Sequence, residues 1–277
     1  MSRFPTGESV LARVVRVVEA FGLDDRTLTV TDIARRSGLH VATASRLIEE
    51  LVGSGWLERQ GRQVRIGVRL WEVVSRASPT VGIRDAAMPF MKDIHTVSGH
   101  HTQLGVMEGD EVLFVEQLTA PGAAVNFSRV AGRLPLHASS SGLVLLAHSP
   151  PAQQERVIGE PLAVFTDRTL RTGRELRAAL AEVRRQDYAF CAGHIYPDTA
   201  GIAVPLRNSD RKVVATLSVI VPNDDAARLL IPALQAAGRG ISRVMAAPLP
   251  TADDRESTSS LSIIENAVAD VAQPRRL

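Results

Sequence analysis

Val10, Leu11, Val14, Val17, Val18 and Phe21 recur at helical spacing and the stretch stops at Gly22, so a first helix is predicted over about 8–21. Thr29, followed three residues later by Asp32, has the form of a capping box ahead of a brief helix that Ser37-Gly38 ends. Beyond Leu39, a helix over 41–52 places Ala44, Leu47, Ile48, Leu51 and Val52 on one face and leaves Thr43, Ser45, Arg46 and Glu50 outward. Gly55 to Ile66 then reads as two short strands turning at Gly61. The order is helix, helix, turn, helix, hairpin.

From about Gly67 to Met91 the period is helical again, broken near Pro79, which predicts a pair of linker helices. His101 to Met107 and Glu111 to Leu118 are apolar runs that flank Glu108-Gly109-Asp110, a hairpin signal, and Ala123 to Phe127 is a candidate third strand. Helices are predicted over Ser139 to Ala147 and Arg174 to Arg185. Strands follow over Gly201 to Arg207 and Val213 to Val221, then a helix over about Ala226 to Ala246. Strands and helices mix without βαβ alternation, so the fold class is α+β with an antiparallel sheet. After Pro248 a polar linker leads to Leu261, Ile264, Val268 and Val271 at a 3–4 spacing, which fits a short tail helix as well as an unstructured tail.

At 277 residues, 45% hydrophobic and 22% charged, the chain has the composition of an ordinary globular protein with one large or two modest domains. Its longest apolar stretch, around Val213 to Val221, is too short to cross a bilayer, and the start carries no apolar leader, so a soluble cytoplasmic protein without a membrane partner is expected. Cys191 is the only cysteine, which excludes an intramolecular disulfide and a cysteine-rich zinc cage. Charge is uneven. Residues 1–76 carry 12 Arg against 9 Asp and Glu, a net +3, while the other 201 residues carry 20 basic against 21 acidic side chains, a net −1. A basic excess confined to one end hints at a polyanionic partner there, and its small size favours a dimer that doubles the phosphate contacts.

A helix-turn-helix reader needs an apolar back and a small polar or basic front to enter the major groove. Thr43, Ser45 and Arg46 form such a front; His40, just before the helix, is placed to meet a phosphate, and Arg62 and Arg65 flank the hairpin turn where a wing touches backbone or minor groove. The competing role for Arg46 is an ion pair with Glu49 or Glu50 on an exposed face.

Several blocks then carry a resemblance. Thr29-Val30-Thr31-Asp32-Ile33-Ala34-Arg35-Arg36-Ser37-Gly38-Leu39 with the run to Leu57, Arg133-Leu134-Pro135-Leu136-His137-Ala138-Ser139-Ser140-Ser141-Gly142, Asp187-Tyr188-Ala189, Gly201 to Leu206 and Val213 to Ser218 resemble, in order and spacing, the IclR family of bacterial transcription regulators. The resemblance spans roughly 8–248. It implies a winged helix-turn-helix over 1–67, linker helices over 68–91 and a GAF-like effector-binding domain over 92–248, with 249–277 as a polar linker and tail. It further implies a homodimer or dimer of dimers on a palindromic double-stranded operator, and a small-molecule effector.

By the same resemblance the effector lies against Leu134, Ser140, Ser141 and Gly142, enclosed by Cys191, Gly201, Ser218 and Ile220. The residues themselves agree in part, since a helix opening at Ser140-Ser141-Gly142 offers free amides and a positive dipole end to a carboxylate; ordinary capping is the alternative, and needs one serine. Four positions depart from members that bind small acids: Cys191 replaces an acidic residue, His194 a glutamate, Gly201 a polar or thiol group and Ile220 a second serine. These changes remove polar partners and enlarge the space, which points to an effector larger and more apolar than a two- or three-carbon keto acid, such as an aromatic acid. Cys191 and His194 also have a Cys-x-x-His spacing, with His100 and His101 on another strand, but nothing in the sequence brings four ligands together, and neither a metal nor a cofactor is expected. An enzyme is not expected either: Ser139-Ser140-Ser141-Gly142 lacks the leading glycine of a nucleophile elbow, and no Walker loop, dinucleotide fingerprint or His-Glu-x-x-His is present. The competing reading is a ligand-sensing interaction protein without specific DNA binding.

Overall fold

The computed structural model describes residues 8–122 and 130–247. The predicted strand over 123–127 and the tail over 249–277 lie outside them. Helix α1 (Val10–Glu19) is capped by Ser9, whose Oγ accepts from the Ala12 amide at 3.1 Å. Strand β1 (Leu28–Thr29) runs directly into α2 (Val30–Ser37). The capping box is reciprocal, with the Asp32 amide donating to Thr29 Oγ1 at 3.1 Å and the Thr29 amide to Asp32 Oδ2 at 3.4 Å. Gly38 ends α2 in the left-handed conformation, and α3 (Val41–Gly53) follows two residues later. Strands β2 (Leu57–Gln60) and β3 (Gln63–Ile66) pair across the turn at Gly61, and β1 joins them as a third strand in the order β1-β3-β2. That strand escapes sequence reading because it has two residues and no alternation to read. Ile33, Ala44, Leu47, Ile48, Leu57 and Val64 form the core of this winged unit.

Helix α4 (Val68–Ala77) ends at Ser78, which is extended (ψ 126°), as the residue before a proline must be. Helix α5 starts at Pro79 and runs to Ser98 through Pro89. It therefore continues past Met91, where the linker was expected to end. Lys92 and Asp93 obscure the period, yet Met91 and Ile94 are buried against the sheet that follows.

Strands β4 (His101–Glu108), β5 (Glu111–Leu118), β6 (Arg133–Pro135), β7 (Ala189–Ala192), β8 (Thr199–Arg207) and β9 (Val213–Pro222) form one sheet in the order β6-β5-β4-β9-β8-β7, and its recorded pairings are all antiparallel. The short β6 and β7 have no clear sequence signal. The same is true of α7 (Pro151–Gly159), whose Pro150-Pro151 start looks like a breaker although proline suits a first helical turn. The last helical stretch is split: a 3₁₀ turn (Asp225–Leu230) capped by Asp224 precedes α9 (Ile231–Ala246).

Successive residues of a strand face opposite sides, and the two faces of this sheet differ in chemistry. Leu104, Ile202, Val204, Leu217 and Val219 point to the side covered by α5 and α9. The alternate positions, Gln103, Gly105, Gly201, Ala203, Thr216 and Ser218, are small or polar. They share register rows such as Gln103–Ser218–Ala203. Their side is covered by α6 (Ser140–Ala147), all eight residues of which are buried, and beyond it by α8 (Gly173–Gln186). Large residues on one face anchor the sheet. Small ones on the other leave room under the start of α6.

Candidate functional site

That room is a cavity of about 540 Å³, its mouth included. Leu134, Ser140, Ser141, Cys191, Gly201, Ser218 and Ile220 line it, so seven of the eight predicted effector residues come together. Gly142 does not line it. A Cβ there would lie 2.3 Å from the Leu136 carbonyl oxygen, and its amide is already donated to Ser139 Oγ at 3.0 Å. Gly142 is a close-packing glycine and Ser139 is the cap, which leaves the amides of Ser140 and Ser141 at the helix start.

Gly201 has a different role. A Cβ at that position would stand 2.9 Å from Ser140 Oγ and 3.4 Å from Ile220 Cδ1, so the absent side chain is what keeps this end of the cavity open. Phe114, Ile195 and Ile220 supply apolar wall. Against them stand polar atoms with no hydrogen-bond partner among the described residues: Ser141 Oγ, Ser218 Oγ, both amide atoms of Gln103, and His194 Nδ1. Native proteins satisfy the large majority of buried side-chain polar atoms, so such a cluster makes this cavity the candidate ligand site. Sequence reading missed Gln103 by taking His101 to Met107 as an apolar run. The available signal was a polar side chain two residues from His101 and two from Gly105, hence on the same face.

Cys191 is buried, and burial pushes its thiol up to about 12. It stays protonated and supplies polarisable wall rather than a charge. His194 is held below its usual range by burial, opposed by a bond to the Ala138 backbone and assisted by neighbouring His137. Among the described residues, no three His, Cys, Asp or Glu side chains converge as a metal site would need. The strap that carries His194, Ile195 and Tyr196 past the cavity is tied down by two threonines. Thr166 Oγ1 donates to the Gly193 carbonyl and Thr169 Oγ1 to that of His194, each at 2.6 Å.

In the winged unit, Ala44, Leu47, Ile48 and Leu51 bury the back of α3. Arg46 is exposed on its front, with Thr43 and Ser45 half-buried beside it. Arg46 Nη1 donates to Glu50 Oε1 at 3.1 Å. His40 is the N-cap of α3, its Nδ1 accepting from the Ala42 amide at 3.3 Å, which puts the proton of the neutral ring on the outward nitrogen. Arg65 lies opposite Glu58 in register and donates to its Oε2 from both Nε (2.9 Å) and Nη2 (2.6 Å). Glu58 Oε1 also accepts from the Val68 amide at 3.2 Å, tying the wing to α4, and these two partners, Arg65 foremost, hold its carboxyl below the usual range. Arg62, at the turn, is exposed and makes no ion pair among the described residues.

The IclR helix-turn-helix domain model matches residues 10–61, and the model of the bacterial transcriptional regulator IclR C-terminal domain matches residues 76–243. The chain belongs to the IclR family. It is thus one of a family of DNA-binding transcriptional regulators, not of enzymes. The regulator XynR of Escherichia coli is 29% identical over 243 residues, covering 85% of this chain and 96% of the relative. Among solved structures, an IclR homolog from Microbacterium hydrocarbonoxydans complexed with 4-hydroxybenzoate is 42% identical, with a TM-score of 0.83 over 86% of this chain and 99% of that one. An IclR homolog from Microbacterium sp. strain HM58-2 is 40% identical, with a TM-score of 0.58 over 87% of this chain and 100% of that one. Among the described residues, no helix is long and apolar enough to cross a membrane.

Proposed function

We propose that this IclR-family regulator binds a small aromatic acid in the cavity under α6, its carboxylate at the amides of Ser140 and Ser141, and that occupancy sets its affinity for a palindromic operator in the cytoplasm. The observation that carries this reading is the pairing of an apolar wall with buried unpartnered hydroxyls at Ser141 and Ser218. Such a lining suits a flat ring with polar ends better than a two- or three-carbon keto acid, which would leave the apolar wall unfilled. The 4-hydroxybenzoate complex of the Microbacterium hydrocarbonoxydans homolog supports an aromatic acid.

DNA contact is assigned to Thr43, Ser45 and Arg46 on α3, with His40, Arg62 and Arg65 at its edges. A second copy supplies the other half-site. Helix α4 has no buried residue and leaves Trp71 66% exposed, with Val68 and Val74 beside it on one amphipathic helix, which favours a protein partner such as that copy. Between the two units, α4 and α5 carry the ligand's effect to the spacing of the reading helices, a coupling typically worth about 1–3 kcal/mol.

Titration calorimetry of the full chain with benzoate, 4-hydroxybenzoate, glyoxylate and pyruvate tests the ligand class. Tighter binding of an aromatic acid is expected, and tighter binding of either keto acid would overturn it. A gel shift on the promoter region beside its own gene, with and without the bound acid, tests the coupling; an unchanged affinity would count against it.

A further inference from the structure

Gln103 is the anomaly in the cavity wall. It is fully buried, and both its amide nitrogen and its carbonyl oxygen lack a partner among the described residues. Two neighbours in register were available. Gln117, opposite it on β5, instead donates its amide to Thr119 Oγ1 at 3.1 Å. Ser218, opposite it on β9, is also buried, and among the described residues its hydroxyl has no partner either. A leucine or methionine at 103 would close this wall without leaving a donor and an acceptor empty. Both Gln103 and Ser218 line the cavity, so a bound molecule can satisfy what the protein leaves open.

The position of this pair within the sheet determines which part of a ligand it meets. Ser140 Oγ sits over Gly201 on β8. From there Gln103 is two strands across, through β9, and two residues along, a separation of roughly 10 Å by 7 Å at the backbone. The helix start and Gln103 therefore address opposite ends of one ligand. A carboxylate at the first end has no use for the second, because a bare ring edge would leave Gln103 and Ser218 as empty as before.

We propose that Gln103, with Ser218, is the specificity-determining subsite for a hydroxyl group at the ligand end remote from the carboxylate, so that the effector class is a hydroxylated aromatic acid rather than an unsubstituted one. This rests on the aromatic-acid reading above. A hydroxyl both donates and accepts, as this pair does: it donates to the Gln103 carbonyl oxygen and accepts from the Gln103 amide or the Ser218 hydroxyl. A methyl or chloro group at the same position offers no such exchange. Sites built to hydrogen-bond a hydroxyl reject the analogue lacking it strongly, because their own buried groups are then left unpaired.

The test is calorimetric titration of the full chain with benzoate, 3-hydroxybenzoate, 4-hydroxybenzoate and 4-chlorobenzoate, on the wild type and on Gln103→Leu, Gln103→Met and Ser218→Ala. The wild type is expected to prefer one of the hydroxylated acids to benzoate by at least about tenfold. Gln103→Leu and Gln103→Met should bring that ratio to near one, and Ser218→Ala should lower it part of the way. Two apolar variants of different shape guard against one failing to fold, and both should melt no lower than the wild type. A wild type that binds benzoates without distinguishing the hydroxyl, or a ratio that survives both Gln103 variants, overturns the subsite and leaves the aromatic-acid reading standing. Binding of no benzoate at all by the wild type overturns both.

Discussion

Arg46 and Glu50 are joined across one turn of α3 by a 3.1 Å contact, and both side chains are more than half exposed. The arginine lies N-terminal to the glutamate, the weaker order for such a pair, which is worth only a few tenths of a kcal/mol in water. The pair is therefore cheap to exchange for a guanine edge or a phosphate. Arg46→Ala is expected to leave the melting temperature within about a degree or two, since an exposed pair contributes so little, and to weaken operator binding by about 1–3 kcal/mol. Glu50→Ala should hold or tighten operator binding, because it removes a competing acid from the same face. Fluorescence anisotropy on operator DNA, with melting curves for both variants, separates these outcomes. An Arg46→Ala protein with intact operator affinity would remove that side chain from the reading set.

On the wing, Arg65 and Arg62 looked equivalent in sequence and are not equivalent in the fold. Arg65 is engaged by Glu58, which also holds the start of α4, whereas Arg62, exposed at the turn, makes no ion pair among the described residues. Arg62→Ala should therefore reduce the salt slope of DNA binding by about one while leaving stability unchanged. Arg65→Ala should lower both thermal stability and DNA affinity, and Glu58→Gln should reproduce its stability loss with a smaller effect on DNA. Equal stability losses for Arg62→Ala and Arg65→Ala would show the Glu58 tie to be unimportant.

The winged unit was legible in sequence because its signals are local. The Thr29–Asp32 box, the glycine after α2 and the 3–4 spacing of Ala44, Leu47, Ile48 and Leu51 each act within a few residues. The elements that escaped, β1, β6, β7 and α7, are short, and β1 exists only through a partner far along the chain, with Leu28 pairing with Val64. In the cavity, the helix-start serines were readable from local pattern together with family likeness. Gln103 was not, because its meaning depends on Ser218, 115 residues later, standing opposite it. Gly142 failed for the converse reason: its sequence neighbourhood matched a ligand loop, while its actual neighbour is the Leu136 backbone.

Gly201 offers a direct handle on the cavity. A Cβ added there meets Ser140 Oγ at 2.9 Å and Ile220 Cδ1 at 3.4 Å, so Gly201→Val places a branched side chain where the ligand's carboxylate end is proposed to sit. Valine suits a strand, and the contacts it makes are with a serine hydroxyl and the tip of an isoleucine, which leaves room to adjust. The expected result is a ligand affinity weakened by about 1–3 kcal/mol, the usual cost of forcing extra methyl groups into a filled space, with operator binding in the absence of ligand retained. Calorimetry and anisotropy on the same preparation check both halves. Unimpaired ligand binding in Gly201→Val would move the ligand away from the α6 start.

Acid sensitivity should come in two separate ranges. His194 is depressed by burial, against a bond to the Ala138 backbone and with His137 nearby. His148 is depressed first by burial and then by Arg207, with Asp187 opposing and Arg184 assisting. Each folded value lies below the unfolded 6.5, so the folded protein keeps these rings neutral where the unfolded chain would already protonate them. Stability is therefore complete above about 6.5 and falls as the pH drops from there towards the folded values. The depressed carboxylates, Asp25 and Asp32 with ordinary values of 3.8 and Glu58 and Glu175 with 4.5, act lower, their contribution being lost only as the pH falls through that range. Melting temperatures between pH 7.5 and 5 should decline in the wild type and decline less in His148→Asn and His194→Asn, additively in the double variant because the two rings sit in different surroundings. A wild-type melting temperature that stays flat down to pH 5 would mean that neither ring is held neutral by the fold.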